Sequence, residues 1–251
     1  MSVADKSAGE KAKQEGIWET VKVVIQALLI ALVFRSFLYH PFNIPSASME
    51  PTLLIGDYLF VSKFSYGYSR YSFPFFDYSF IDGRIWEGVP ERGDVAVFRP
   101  SRRADTDYIK RVIGLPGDRI QMIDSVLHIN GEPVKREPAG EWQDDAGAFG
   151  PVRQFRETLP NGVSYITLDN RETEMDDTGV YQVPPGHYFM MGDNRDNSTD
   201  SRFTDAEVGY VPAENLVGRA EVLFFSVDDA PAWAFWQWPW SVRFDRLFHG
   251  L

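Results

Sequence analysis

Three stretches of the chain combine reactive side chains with a restricted backbone. The first is Ile44-Pro45-Ser46-Ala47-Ser48-Met49-Glu50-Pro51-Thr52-Leu53. The second is Tyr108-Ile109-Lys110-Arg111-Val112-Ile113-Gly114-Leu115-Pro116-Gly117-Asp118. The third is Gly192-Asp193-Asn194-Arg195-Asp196-Asn197-Ser198-Thr199-Asp200-Ser201-Arg202. A hydroxyl becomes a nucleophile only when a base takes its proton. Ser48 lies between Pro45 and Pro51, a setting that can hold a hydroxyl and its neighbouring amides in fixed geometry. In the strand-like run YIKRVIG, alternation puts Tyr108, Lys110 and Val112 on one face and Ile109, Arg111 and Ile113 on the other. On a partly apolar face an ammonium group loses hydration and its pKa falls. The neutral amine is then a competent general base near neutral pH. These residues allow a Ser/Lys dyad. The plainer readings are a turn residue for Ser48 and a solvated edge residue for Lys110.

Other chemistries have less to stand on. There is no cysteine, so a thiol nucleophile, a disulfide and a Cys-ligated zinc site are excluded. A Ser-His-Asp hydrolase would have to use His40, His128, His187 or His249, and no G-x-S-x-G elbow is present. His187, just before the third stretch, reads as a strand-end structural residue. The net charge of -11 argues against nucleic acid as a partner. Much of that charge lies in Glu137–Asp177, where ten acidic residues face Arg153, Arg156 and Arg171. Without a D-x-D-x-D-G spacing, this segment reads as a solvated, loopy β-subdomain with no metal site.

The elements that must position these residues are also legible. A length of 251 residues fits one or two domains. Residues 1–17 are a polar tail with Lys6, Lys11 and Lys13. Residues 18–39 run from Trp18 to Tyr39 around an apolar centre, about 33 Å of helix, enough to cross a bilayer. The alternatives are a cleaved signal peptide and an interfacial helix. After Arg35 the next basic residue is Lys63, so the positive-inside rule puts the N-terminus in the cytoplasm. Strands are expected at Asp57–Phe64, Asp94–Arg99, Tyr108–Leu115, Val126–Ile129, Val163–Leu168, His187–Met191 and Leu216–Ser226, with hairpin signals at Asn130-Gly131 and Leu159-Pro160-Asn161-Gly162. The fold class is mainly β. Aromatic residues cluster over Tyr66–Trp86 and Trp233–Trp240, and both clusters are expected to rest on the membrane interface. The tail Trp240, Phe244, Leu247, Phe248, Leu251 has helical spacing.

The order of the three stretches, their place after an apolar N-terminal segment, and the runs Arg92–Phe98 and Asn215–Ala220 resemble type I signal peptidases, the bacterial leader peptidases. The resemblance implies a signal-peptidase-type catalytic β-fold, residues 40–129 and 187–251, with an inserted variable β-subdomain over 130–186. It implies Ser48 as nucleophile, Lys110 as general base, the Ser46 hydroxyl with the Ser48 amide as oxyanion hole, and Ser198 as the residue that hydrogen-bonds and orients the lysine. Asp193, Arg195, Asp200 and Arg202 match a charged network, with Arg111 in a structural pairing role. Phe42, Ile44, Pro45, Leu53, Val97, Tyr108 and Ile109 match positions lining pockets for small substrate residues. No cofactor is implied. The implied partners are signal peptides of exported preproteins, cut after Ala-X-Ala-type sequences, the lipid bilayer and the neighbourhood of the secretion translocon. The implied place is the bacterial cytoplasmic membrane, crossed once, with the catalytic part outside.

Overall fold

The structure is a computed structural model that describes residues 3–72, 83–103, 106–143, 150–203, 208–228, 236 and 238–251. Helix α1, Val3–Phe37, contains the apolar stretch Ile17–Phe37, 21 residues or about 32 Å. Among the described residues nothing covers its most apolar part, where Leu28, Leu29 and Ile30 are exposed. By length and composition this stretch is enough to cross a membrane. It ends two residues earlier than the sequence expectation. Pro41 disfavours helical geometry at His40, so Tyr39 opens the first strand instead. The Tyr68 hydroxyl donates to the Phe37 carbonyl at 2.6 Å and ties the helix end to the body.

The body is built from antiparallel ladders. Its strands are β1 (Tyr39–Asn43), β2 (Asp57–Ser62), β3 (Val95–Phe98), β4 (Tyr108–Gly114), β5 (Arg119–Ile123), β6 (Val126–Ile129), β7 (Glu132–Pro133), β8 (Lys135–Trp142), β9 (Val152–Thr158), β10 (Ser164–Leu168), β11 (Tyr181–Gln182), β12 (His187–Met191), β13 (Val211–Pro212), β14 (Leu216–Ser226) and β15 (His249–Gly250). The main sheet has the order β1-β2-β14-β3-β4-β12-β13, with β15 also on β14. The long β14 pairs with β3 through its first residues and with β2 through the rest, so one strand joins the two halves of the sheet. Ile44, Met49, Leu53, Leu59, Val97 and Ile109 belong to one buried cluster around the Ala47–Met49 turn.

Two smaller sheets complete the body: β10-β9-β8 and β11-β5-β6-β7. The second is made of strands from both sides of residue 130, because the β5–β6 hairpin pairs with β7 and β11. Asn130 and Gly131 both take positive φ, the geometry of a type I′ turn between β6 and β7. Gly162, at φ 89°, donates its amide to the Leu159 carbonyl and closes the β9–β10 hairpin.

The aromatic clusters divide. Tyr66 and Tyr68 are core residues rather than interfacial ones, since each hydroxyl finds an internal acceptor, Asp94 for Tyr66 and the Phe37 carbonyl for Tyr68. Trp86 is 80% exposed. Phe73, Phe75, Phe76, Tyr78, Phe80, Trp233 and Phe235 lie outside the described residues. Trp240, Phe244 and Phe248 are exposed, but the tail is not the helix that its spacing predicts. It breaks into a short turn of helix at Trp238–Ser241, a 3-10 turn at Phe244–Arg246 and β15. Arg243 and Arg246 hold it along the sheet by bonding Ser226, Asp228 and Asp57, and Phe248 takes a positive φ.

Candidate active site

Ser48 sits in a 3-10 turn, Ala47–Met49. Met49, fully buried with Ile44 and Leu53, plugs the turn into the core, so burial of neighbouring apolar side chains fixes the hydroxyl. Lys110 comes from the middle of β4. Its Nζ donates to Ser48 Oγ at 2.6 Å and to the Ile109 carbonyl at 3.0 Å. Lys110 is 3% exposed, and burial pulls its pKa down from 10.5 to about 8 against the opposing pull of Asp200 and Asp193. Ser46 Oγ lies 3.4 Å from Ser48 Oγ and is open to solvent. The solvated-edge reading of Lys110 is thereby excluded.

None of the four histidines makes a hydrogen bond to Ser48 among the described residues. His40 lies against Arg35, His128 against the Val126 carbonyl, His187 against the Pro185 carbonyl, and His249 is exposed on β15.

The third stretch holds the Ala47–Met49 turn from behind. Asn194 donates its amide to the Ser48 carbonyl and its Nδ2 to the Ala47 carbonyl, both at 3.2 Å. This clamp carries no signature in the sequence beyond its place in the stretch. Gly192 must lack a side chain, since a Cβ there would lie 2.2 Å from Ser198 Oγ and 2.5 Å from the Ser48 carbonyl oxygen. Asp200 accepts the Gly192 amide and pairs with Arg202 through both carboxylate oxygens. Burial pushes the Asp200 carboxyl up, but Arg202 and the Gly192 amide more than offset that and hold it below the usual range.

Ser198 does not bond the lysine as expected. Its Oγ is buried beside Gly192 and, by bonding the Asp200 carboxylate, helps Arg202 and the Gly192 amide hold that carboxyl low, while Lys110 Nζ is turned toward Ser48 and the Ile109 carbonyl.

On the opposite face of β4, Arg111 forks onto Asp193 at 2.9 and 2.6 Å, and Thr52 donates to the same carboxylate at 2.6 Å. Arg195 forks onto Glu157 of β9 at 2.7 and 2.6 Å, and Tyr165 of β10 donates to Glu157 at 2.9 Å. Glu157 is 1% exposed, so the acidic segment is not uniformly solvated. Asp169 and Asp176 are buried as well, and with Asp196 they bring three carboxylates together within 4.8 Å. Arg136 bonds Asp169, the amides of Asn170 and Arg171 bond Asp196, and the Thr173 amide bonds Asp176. The acidic segment is therefore partly a set of joints between the β8–β10 sheet and the third stretch. Nothing in its spacing reveals which carboxylates meet.

A cavity of about 320 Å³ opens at Ser48 and Lys110, lined also by Phe42, Pro45, Ser46, Tyr108 and Ile109. Of the expected pocket residues, Ile44, Leu53 and Val97 lie beneath it in the core instead, at 2%, 0% and 0% exposure.

The family described as "Signal peptidase, peptidase S26" matches residues 17–225. The chain belongs to this family. It is similar to proteins named signal peptidase I from Rickettsia typhi, 40% identical with 89% of this chain and 90% of that one covered, and from Rickettsia conorii, 39% identical with 98% and 95% covered. A crystal structure of a signal peptidase I from Enterococcus faecalis is 25% identical over 52% of this chain and 96% of that one, with a TM-score of 0.30. As an S26 peptidase, the chain is a peptide-bond hydrolase, and its Ser48–Lys110 contact lies inside the matched region.

Proposed function

We propose that this peptidase is a membrane-anchored Ser/Lys endopeptidase that removes N-terminal signal peptides from exported preproteins, cutting after Ala-X-Ala-type sequences. The observation that carries the reading is the 2.6 Å contact between a desolvated Lys110 amine and Ser48 Oγ. The neutral amine takes the Ser48 proton, and Ser48 attacks the carbonyl carbon of the scissile bond. The Ser48 amide and the Ser46 hydroxyl stabilise the oxyanion. Lys110, now an ammonium, gives its proton to the leaving amine. Water then attacks the acyl-enzyme, with Lys110 again as base. Ser198, with its hydroxyl buried between Gly192 and the Ser48 turn, is placed to meet the ammonium when it forms.

The substrate lies extended. β12 pairs with β4 only from Arg111 onward, which leaves the edge beside Tyr108 and Ile109 open to an added strand. Small residues before the cut fit the shallow cavity over Ile44, Leu53 and Val97. The Lys6, Lys11 and Lys13 tail supports a cytoplasmic N-terminus, with the body on the outer face of the bacterial cytoplasmic membrane, near the translocon that delivers its substrates. Cleavage of a preprotein in detergent or lipid tests the reading. Wild type should release the mature chain, and Ser48→Ala and Lys110→Met should not; full activity in either variant would refute it.

A further inference from the structure

Beyond the Ser46–Ser48 turn lies a second cavity, about 470 Å³, that the mechanism above does not use. One wall is the nucleophile loop and the third stretch, through Ala47, Glu50, Asn194 and Asn197. The other wall is the end of the β8–β10 sheet, through Trp142 and Val152, which are paired across the β8–β9 ladder. Asn197 lines both this cavity and the one at the dyad, and Ala47 separates Ser46 from Ser48. The two cavities thus adjoin at the nucleophile.

A substrate is one continuous chain, so residues on the two sides of the scissile bond must leave Ser48 in opposite directions. An extended chain advances about 3.3 Å per residue, so the first residues past the cut run from Ser48 into the adjoining cavity. We propose that this second cavity receives the first residues of the mature chain and that Trp142 is a specificity-determining residue there, favouring an apolar or aromatic residue two or three positions after the cut. The half-buried indole, Val152 and the exposed Ile55 supply the apolar surface. Asn197 and Arg171 supply polar partners for the extended backbone. The wall is held in place because Asp196 accepts the amides of Asn170 and Arg171, which joins the small sheet to the third stretch.

The inference rests on the proposed function, and two measurements separate their failures. In the first, wild type and Trp142→Ala compete two preproteins that differ only in carrying Phe or Gly at the second and third mature positions. Wild type should favour the Phe substrate about tenfold in kcat/KM. Trp142→Ala should bring the ratio to within about twofold while keeping the preference for small residues before the cut. An unchanged ratio, or an equal loss on both substrates, would overturn the proposal. In the second, a photo-crosslinking residue at the third mature position is bound to Ser48→Ala enzyme that retains Trp142. Crosslinks to Trp142 or Val152 support the assignment, and crosslinks confined to Phe42 or Tyr108 overturn it. A Ser48→Ala enzyme that still cleaves would instead sink the dyad.

Discussion

Lys110 and Arg111 are neighbours on one strand, both buried, yet the two faces of β4 treat their charges in opposite ways. Lys110 meets a serine hydroxyl and a carbonyl, and burial lowers its pKa to about 8. Burial would lower Arg111 too, but the Asp193 fork outweighs it and the guanidinium is held more firmly charged than usual. Burial alone does not set a protonation state; the partner does. Lys63 adds a control. It is equally little exposed, at 3%, and also lowered to about 8, but its Nζ bonds the Ser72 carbonyl and no side-chain hydroxyl among the described residues. A lowered lysine pKa is therefore not a catalytic signature until geometry adds a hydroxyl.

Conservative exchanges can break this comparison in graded ways. Lys110→Arg installs a cation that cannot give up its proton, so kcat/KM in preprotein cleavage should fall by at least about 10⁴-fold. Ser46→Ala would, in the proposed mechanism, remove one oxyanion donor beside Ser48; kcat should fall by about 10²–10³-fold with little change in KM. Arg111→Lys keeps the charge but loses the fork on Asp193. It should lower stability by about 1–3 kcal/mol, read as a drop in Tm, with activity per folded molecule kept within about tenfold. Lys63→Met should leave kcat/KM within about twofold of wild type. Replacing the four histidines together should likewise leave the chemistry intact, read as cleavage by the folded fraction. A Lys63→Met variant as inactive as Lys110→Arg would erase the distinction drawn here.

The meeting of Ser48 and Lys110 is legible because the three stretches carry unusual residue combinations, and the alternation in YIKRVIG separates Lys110 from Arg111 without a structure. Three strands, Val126–Ile129, His187–Met191 and Leu216–Ser226, match their sequence expectations because β-branched and aromatic runs end at turn residues. β8, KREPAGEW, was invisible: it is charged, contains Pro138 and Gly140, and owes its form to pairing with β9. β1 was hidden by its position directly after a long helix. The tail was misread because its spacing favours a helix while the pairing of Arg243 and Arg246 with the sheet decides otherwise. The buried ion pair of Arg195 with Glu157 joins residues 38 apart in the chain, a contact that local pattern cannot show.

The central claim is that a neutral Lys110 is the base for Ser48. With a folded pKa of about 8, the amine fraction grows as pH rises, so kcat/KM should climb tenfold per pH unit below that value and level off above it. The decisive measurement is the pH dependence of kcat/KM for preprotein cleavage by the full-length, lipid-embedded enzyme. An ascending limb with its midpoint near 8, unchanged when the four histidines are replaced, is the predicted result. A midpoint near 6.5 that vanishes with the histidines, or one near the unperturbed lysine value of about 10.4, would contradict the account.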